Sequence, residues 1–583
     1  MGTVCTCDGS HNHPQADPRF PGQRDASDRR DDVRYGPSVM TVGDITPDTI
    51  WAVLCESARR HPDREAVVDG RERLSYQQLA ASASQAGTAM TAAGIRHGDR
   101  IALWAPNSAR WAVVALGAHS VGAVVVPINT RARGAEAAHQ LRTTRSRMLF
   151  VDDGFLGTGY AAMLRAAAGE SGPDRPVLGL PDLEQIIDFH REPDLHITSW
   201  AQLLRRATTP RPVDLRAPRR VAPPGTDDVA YIMSTSGSTG RAKGVVLRHG
   251  QLVRVYRSLS ERLGIGRCDR ILGVTPLSHS FGLNAGLLAA LAAGGCYVAV
   301  DVFDPVTALT RITTERITVL SGPPTLFTDL IAASPAERQP QAHTPRLAVT
   351  GATTVAAPLL DRIRLVLGIP LIVTGYGLTE ASGTVTARYP ESQTVSLAAP
   401  PLPGVELRVV DTEGNAVPEG TAGEVLVRGY NVMSGYFEDE AATATALDGD
   451  GWLHTGDVGV LEAGELRIID RIGEMFIVGG FNVYPSEVEQ VLSRHPAVGE
   501  VAVVGVPDDR LGERGIAYAV PRQGHSVTGQ QLVEHCRGAL AGYKVPSEVI
   551  LLSEMPRIAA GKPSRLALRE LALQRRAEHR GVG

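Results

Sequence analysis

From Thr49 onward the chain alternates stretches of helical period with short apolar runs. A helical stretch precedes His61, the run AVVD follows at 66–69, and a long Ala-rich helical pattern leads into RIALWAPN (100–107) and AVVVPIN (123–129). Such alternation predicts a parallel, helix-covered sheet. An Arg- and Pro-rich connection at about 206–227 precedes further apolar runs: ILGVTPL (271–277), CYVAVDV (296–302), TVLSGPP (318–324), RLAVTGA (346–352) and LIVTGYG (371–377). Each ends in turn-forming or polar residues, the pattern expected where the C-terminal ends of parallel strands line a ligand crevice. Beyond Pro400 the pattern becomes β-rich with Gly turns, in VELRVVDTEGN, GEVLVRG, GWLHTGDVG and ELRIID. The last block pairs a helix, SEVEQVLSRH, with the strands VAVVGV, GIAYAV and SEVILL and a further helix, the right size for a separate α+β domain. The fold class is therefore α/β: a large N-terminal domain of helix-covered sheets with a β subdomain, then a smaller α+β C-terminal domain. The expected boundaries are 41–471, with the β-rich part at about 400–471, and 472–575.

Composition narrows the class. A chain of 583 residues is too long for one core, and 43% hydrophobic with 21% charged residues is ordinary for globular proteins. A net charge of -4 offers no basic field for nucleic acid or an anionic membrane. There is no apolar run long enough to span a bilayer and no apolar signal core, so a cytoplasmic protein is expected. The six cysteines are dispersed, which fits a reducing compartment. Residues 1–40 read as a disordered leader. Cys5, Cys7, His11 and His13 within it match no zinc spacing. Among 59 lysines plus arginines only three are lysine: Lys243, Lys544 and Lys562. Where cations have drifted so far to arginine, each surviving ammonium becomes a candidate for a task a guanidinium cannot perform.

The segment YIMSTSGSTGRAKGVVLRH (231–249) sets a Ser/Thr/Gly loop after an apolar strand and ends it with Lys243. Small hydroxyls and unencumbered backbone N–H groups suit a polyphosphate. The spacing is not that of a Walker loop. With YGLTE (376–380), GWLHTGD (451–457), DRIGEMFIVGGFNVYP (470–485) and PRIAAGK (556–562), the chain resembles the adenylate-forming superfamily, and within it the acyl-CoA synthetase branch. The motifs keep the family's order over some 500 residues; the usual proline of the phosphate loop is Ala242.

That resemblance implies ATP, Mg²⁺ and coenzyme A as participants and a small-molecule acid as substrate. It makes Thr235, Ser236, Gly237, Ser238, Thr239, Gly240 and Lys243 the phosphate-binding set. Thr379 and Glu380 would contact phosphates, Glu380 also holding Mg²⁺, since a hard carboxylate suits a hard cation. Tyr376 would stack on adenine against Gly351 and Ala352, with core packing as the rival reading for all three. Asp457 would accept the ribose hydroxyls and Arg471 would donate to the ribose. Lys562 would bond the attacking carboxylate during adenylation, a preorganised cation aimed at developing charge. His279, in PLSHSFG, would border the acyl pocket and the thiol's path, although a lone histidine is more often structural.

The C-terminal domain would be mobile, with Gly473 as hinge and Gly479 and Gly480 on the path of CoA. The chain departs from the family in two places: Gly473 replaces the usual Lys or Asp, and Ser278 replaces the usual aromatic. The expected reaction is activation of a bulky cyclic, aryl or medium- to long-chain acid as its acyl-AMP, followed by transfer to CoA. The alternatives are a non-CoA acceptor, as in diazotases that activate nitrite for an arylamine, and a non-enzymatic adenylate-binding role. Oligomeric state is not readable.

Overall fold

The computed structural model describes residues 48–580 except 173–175, 191–195, 208–223, 236–242, 335–344, 352–354, 356, 390–396, 472, 479–480, 509–510, 538, 541 and 558–561. The expected leader and most of the Arg/Pro connection lie outside these residues.

The first helix, Ile50–Arg60, starts where the Thr49 hydroxyl accepts from the Ala52 N–H at 3.2 Å, and ends in Arg59 and Arg60. The second, Tyr76–Ala92, carries a reciprocal Ser75–Gln78 capping box. Its buried face, including Leu79, Ala83, Ala86 and Met90, follows the helical period and lies against the helix Ala109–Ser120. Contact is close enough that a Cβ on Gly87 would stand 2.5 Å from the Gly117 carbonyl oxygen, which leaves glycine as the residue that fits.

The expected parallel sheet is in fact two. One has seven strands in the order Ile197–Ser199, Gln185–Asp188, Met148–Val151, Arg100–Trp104, Val124–Pro127, Val229–Thr235 and Lys243–Arg248. All neighbours are parallel except the last pair. The other has eight, in the order Thr386–Ala387, Leu371–Tyr376, Leu347–Gly351, Val319–Gly322, Arg270–Gly273, Cys296–Ala299, Glu65–Asp69 and Glu72–Ser75. Its six inner strands are parallel and its two outermost pairs antiparallel. The early strand Glu65–Asp69 thus joins Cys296–Ala299 instead of its sequence neighbours. Hydrophobic period specifies a strand and its buried face, not its partner. The two sheets share a large core that includes Trp111, Phe150, Tyr231 and Tyr256.

Residues 405–471 form a four-stranded antiparallel sheet, Val405–Val410, Ala422–Gly429, Leu453–Glu462 and Glu465–Arg471. Its register sets Asp457 opposite Arg471. The last region has its own sheet, in which Glu548–Leu551 runs parallel to Gly512–Pro521, and its own core of Phe476, Val483, Val488, Leu492, Val503, Ala517 and Leu532. Lys544 pairs there with Glu487 at 2.6 and 2.7 Å, tying a turn to the helix Pro485–Ser493. One of the three lysines therefore has a structural partner. Among the described residues no helix is long and apolar enough to cross a membrane.

Candidate active site

The strand ends of the eight-stranded sheet deliver the first group of side chains. Gly351 and Gly375 sit side by side at the ends of neighbouring strands, and a Cβ on Gly351 would lie 2.7 Å from the Gly375 carbonyl oxygen. Tyr376 ends its strand, and Thr379 and Glu380 occupy the short 3-10 turn that follows. His279 caps the helical segment that begins at Ser280, its Nδ1 accepting from the Phe281 N–H at 3.1 Å. Burial, and then the charge of Lys562, push its pKa down to about 4, so the ring is neutral. The loop that carries His279 is anchored by buried Asn107, whose amide donates to Gly273 O at 2.8 Å and Thr275 O at 3.0 Å and accepts from the Leu277 N–H at 2.8 Å. Sequence reading missed Asn107; its signal was an asparagine three residues after the strand run RIALW.

The second group gathers around Asp457, which is only 4% exposed. The Tyr376 hydroxyl donates to one carboxylate oxygen at 2.6 Å, and Arg471 Nε donates to the other at 2.8 Å. Burial and this carboxylate push the Tyr376 phenol well above its usual pKa, so it stays a donor. Lys562 is open to solvent, yet nearby protein crowds its ammonium. That crowding and the Arg471 charge hold its pKa below the usual lysine value, against the pull of Glu474 and Asp457.

The third group centres on Tyr436. Its hydroxyl donates to Glu380 Oε1 at 3.0 Å, and Lys243 Nζ lies 4.8 Å from its ring centroid. Thr235 and Lys243 are cross-strand partners at the mouth of a loop whose residues, Ser236, Gly237, Ser238, Thr239 and Gly240, lie outside the described set. Thr379 Oγ1 is 3.3 Å from Ser280 Oγ, which links the Thr379–Ala381 turn to the His279 segment. The Arg471 charge acts on Tyr376, Tyr436 and Lys562 alike, which places it near all three groups. No motif pointed to Tyr436.

Among the described residues no group of three or more His, Cys, Asp or Glu side chains is arranged to hold a metal ion. A lone carboxylate such as Glu380 fits Mg²⁺ that arrives on a triphosphate, since that ion keeps waters and phosphate oxygens for most of its shell. Gly473 is exposed, and a Cβ there would meet nothing within 4 Å. Ala352, Gly479 and Gly480 lie outside the described residues.

Known proteins resemble this chain in both sequence and fold. The AMP-binding enzyme family matches residues 54–437, and the AMP-binding enzyme C-terminal domain matches 487–562. A 3-(7a-methyl-1,5-dioxo-octahydro-1H-inden-4-yl)propanoyl:CoA ligase of Mycobacterium tuberculosis is 41% identical over 527 residues, covering 90% of this chain and 99% of the relative. The anthranilate CoA ligase AuaEII, solved in complex with anthranoyl-AMP, superposes with a TM-score of 0.81 at 26% identity, covering 91% of this chain and 98% of that one. The o-succinylbenzoate CoA synthetase MenE of Bacillus subtilis, solved with ATP and magnesium ion, gives a TM-score of 0.73 at 28% identity, with coverage of 89% and 99%. The chain belongs to the AMP-binding enzyme family, in its acyl-CoA synthetase branch, and is an AMP-forming acid–thiol ligase with ATP and CoA as substrates.

Proposed function

We propose that the enzyme activates a bulky cyclic or aryl carboxylic acid as its acyl-AMP and then transfers the acyl group to CoA. The observation that carries this reading is the approach of Lys562, from the last loop of the chain, to Arg471, Asp457 and His279. Crowding and a like charge disfavour its ammonium. An incoming carboxylate and phosphate would relieve that penalty, so the cation is poised for negative charge. The fused-ring acid in the name of the 41% identical relative and the aryl acid of AuaEII support the substrate class.

In the first half-reaction the substrate carboxylate attacks the α-phosphorus, a carboxylate O–P bond forms, and the bond to pyrophosphate breaks. Asp457 and Arg471 hold the ribose, Tyr376 with Gly351 and Ala352 flanks the adenine, and Lys243, Thr379 and Thr235 through Gly240 steady the phosphates. Glu380 would supply the protein's ligand to Mg²⁺, which would neutralise charge on the triphosphate. Most of the rate comes from positioning and electrostatics. In the second, the CoA sulfur attacks the acyl carbon and AMP leaves. Residues 41–471 and 472–575 act as two domains that turn about Gly473, whose open surroundings suit a pivot. Gly479 and Gly480 then border the thiol's path, and neutral His279 faces the acyl pocket. Dependence on ATP and CoA suits a cytoplasmic setting. Activation of nitrite for an arylamine finds no support in the named relatives, which are CoA ligases or synthetases.

The test supplies ATP, Mg²⁺ and a panel of fused-ring, aryl and linear acids, with and without CoA, and follows pyrophosphate, AMP and thioester. Acid-dependent AMP and thioester with a preference for ring-bearing acids is expected. ADP in place of AMP, or AMP without thioester for every acid, would overturn the proposal.

A further inference from the structure

Tyr436 touches two groups of opposite charge that would otherwise attract one another. On one side its hydroxyl donates to Glu380 Oε1 at 3.0 Å; on the other its ring faces Lys243 Nζ at 4.8 Å. An ammonium and a carboxylate that reach the same side chain would gain by pairing directly. No ion pair joins Lys243 to Glu380; each instead meets Tyr436.

The backbone fixes the ring in that place. The Val246 N–H donates to Gly435 O at 3.0 Å, the Ser434 N–H to Val246 O at 3.1 Å and the Phe437 N–H to Gly244 O at 2.7 Å, so residues 434–437 are laced to the strand that starts with Lys243. Next to them the Met433 N–H donates to Glu380 O at 2.7 Å. The Tyr436 N–H donates to Thr443 Oγ1 at 2.8 Å. One short segment thereby registers the phosphate-side lysine against the acidic turn.

We propose that Tyr436 is a positioning residue that keeps Lys243 and Glu380 apart and aimed, so that the lysine stays available to the triphosphate and the carboxylate to its divalent cation. This rests on the reading of Lys243 and Glu380 as phosphate and metal groups. The hydroxyl holds one carboxylate oxygen and leaves the other for the cation. The ring face holds the ammonium by a contact weak enough to be exchanged for phosphate.

The experiment compares Tyr436→Phe, which keeps the ring and loses the hydroxyl, with Tyr436→Leu, which loses both. Binding of ATP is measured by calorimetry without metal and with Mn²⁺ as a paramagnetic stand-in for Mg²⁺, and ATP–pyrophosphate exchange is measured against Mg²⁺ concentration. For Tyr436→Phe, half-saturating metal should rise about tenfold, the loss expected for one hydrogen bond to a charged group. Metal-free ATP affinity and the KM for acid should be unchanged. For Tyr436→Leu, metal-free ATP binding should also weaken, because Lys243 is now free to pair with Glu380, and extra Mg²⁺ should not restore it.

Glu380→Gln tells failure of the proposal from failure of the reading beneath it. On that background Tyr436→Phe should shift the metal dependence no further. If Glu380→Gln moves the metal dependence and neither Tyr436 variant does, the positioning role is overturned. If Glu380→Gln itself leaves metal dependence unmoved, the metal assignment falls, and the proposal with it. Tyr436→Phe removes one oxygen and keeps the packing, so it carries the test should Tyr436→Leu fail to fold.

Discussion

Replacing Lys562 with alanine removes the only cation that the last loop sends toward Asp457 and His279 among the described residues. A unit charge at about 4 Å from developing charge is worth about 4 kcal/mol at an effective dielectric near 20. That corresponds to a loss of roughly a thousandfold in the adenylation rate. Because the side chain is exposed and anchors no core, the thermal midpoint should move by less than about 2 °C. The assay is acid-dependent ATP–pyrophosphate exchange, run beside thioester formation from chemically prepared acyl-AMP. Exchange should collapse while the second reaction proceeds within a few-fold of wild type. A pH series adds a sign. The ammonium is required, and its pKa is held below the usual lysine value of 10.5. Exchange should therefore be full below that lowered pKa and fall as pH rises through it. Lys562→Arg should push the fall to higher pH while lowering the plateau, since a fork cannot replace a point charge. Exchange by Lys562→Ala within tenfold of wild type would refute the reasoning, as would an alkaline limb that Lys562→Arg leaves in place.

Asp457→Asn keeps the shape that meets Tyr376 and Arg471 but removes the charge; ATP binding measured by calorimetry should weaken about 10- to 100-fold with the acid's KM unchanged, and the reverse pattern would take Asp457 out of the nucleotide site. Gly473→Pro should leave pyrophosphate exchange within a few-fold and lower the overall thioester rate by more than about tenfold, because it restricts the backbone where no side chain is in contact. Equal losses in both reactions would remove the pivot. His119 is fully buried beside His249 and Tyr231, and burial, then His249, hold its pKa well below 6.5. The unfolded chain takes up this proton below about pH 6.5 and the folded chain does not, so His119 costs stability as pH falls. His119→Phe should lessen the acid loss by about 1.4 kcal/mol per pH unit below 6.5, seen as a shallower fall of thermal midpoint with pH; parallel curves would show that the ring does not titrate on unfolding.

Much of the strand ladder was legible because each strand of a parallel sheet is an uninterrupted apolar run, and runs such as LAVTG and LIVTG announce themselves. Pairing was not. Val67 meets Tyr297 across more than two hundred residues, and nothing local to either run encodes the other. The same division holds in the site. Asp457, Arg471 and Lys562 stood in motifs with chemistry of their own, and the fold brings them near one another. Tyr436 and Asn107 act by position: an isolated tyrosine between glycine and phenylalanine, or an asparagine after a strand, gains meaning only when the partners at Glu380 and Leu277 are in place.

The lacing of residues 434–437 onto Lys243–Arg248 also closes a border. That strand is the outermost of the seven, and its free amides and carbonyls would form a template on which a second chain could add itself. Gly435, Phe437 and Ser434 occupy those groups from within the same molecule. A substitution that pried this segment loose would therefore do more than slow a reaction. It would expose a sticky rim beside Lys243, and the first symptom in the test tube would be concentration-dependent precipitation.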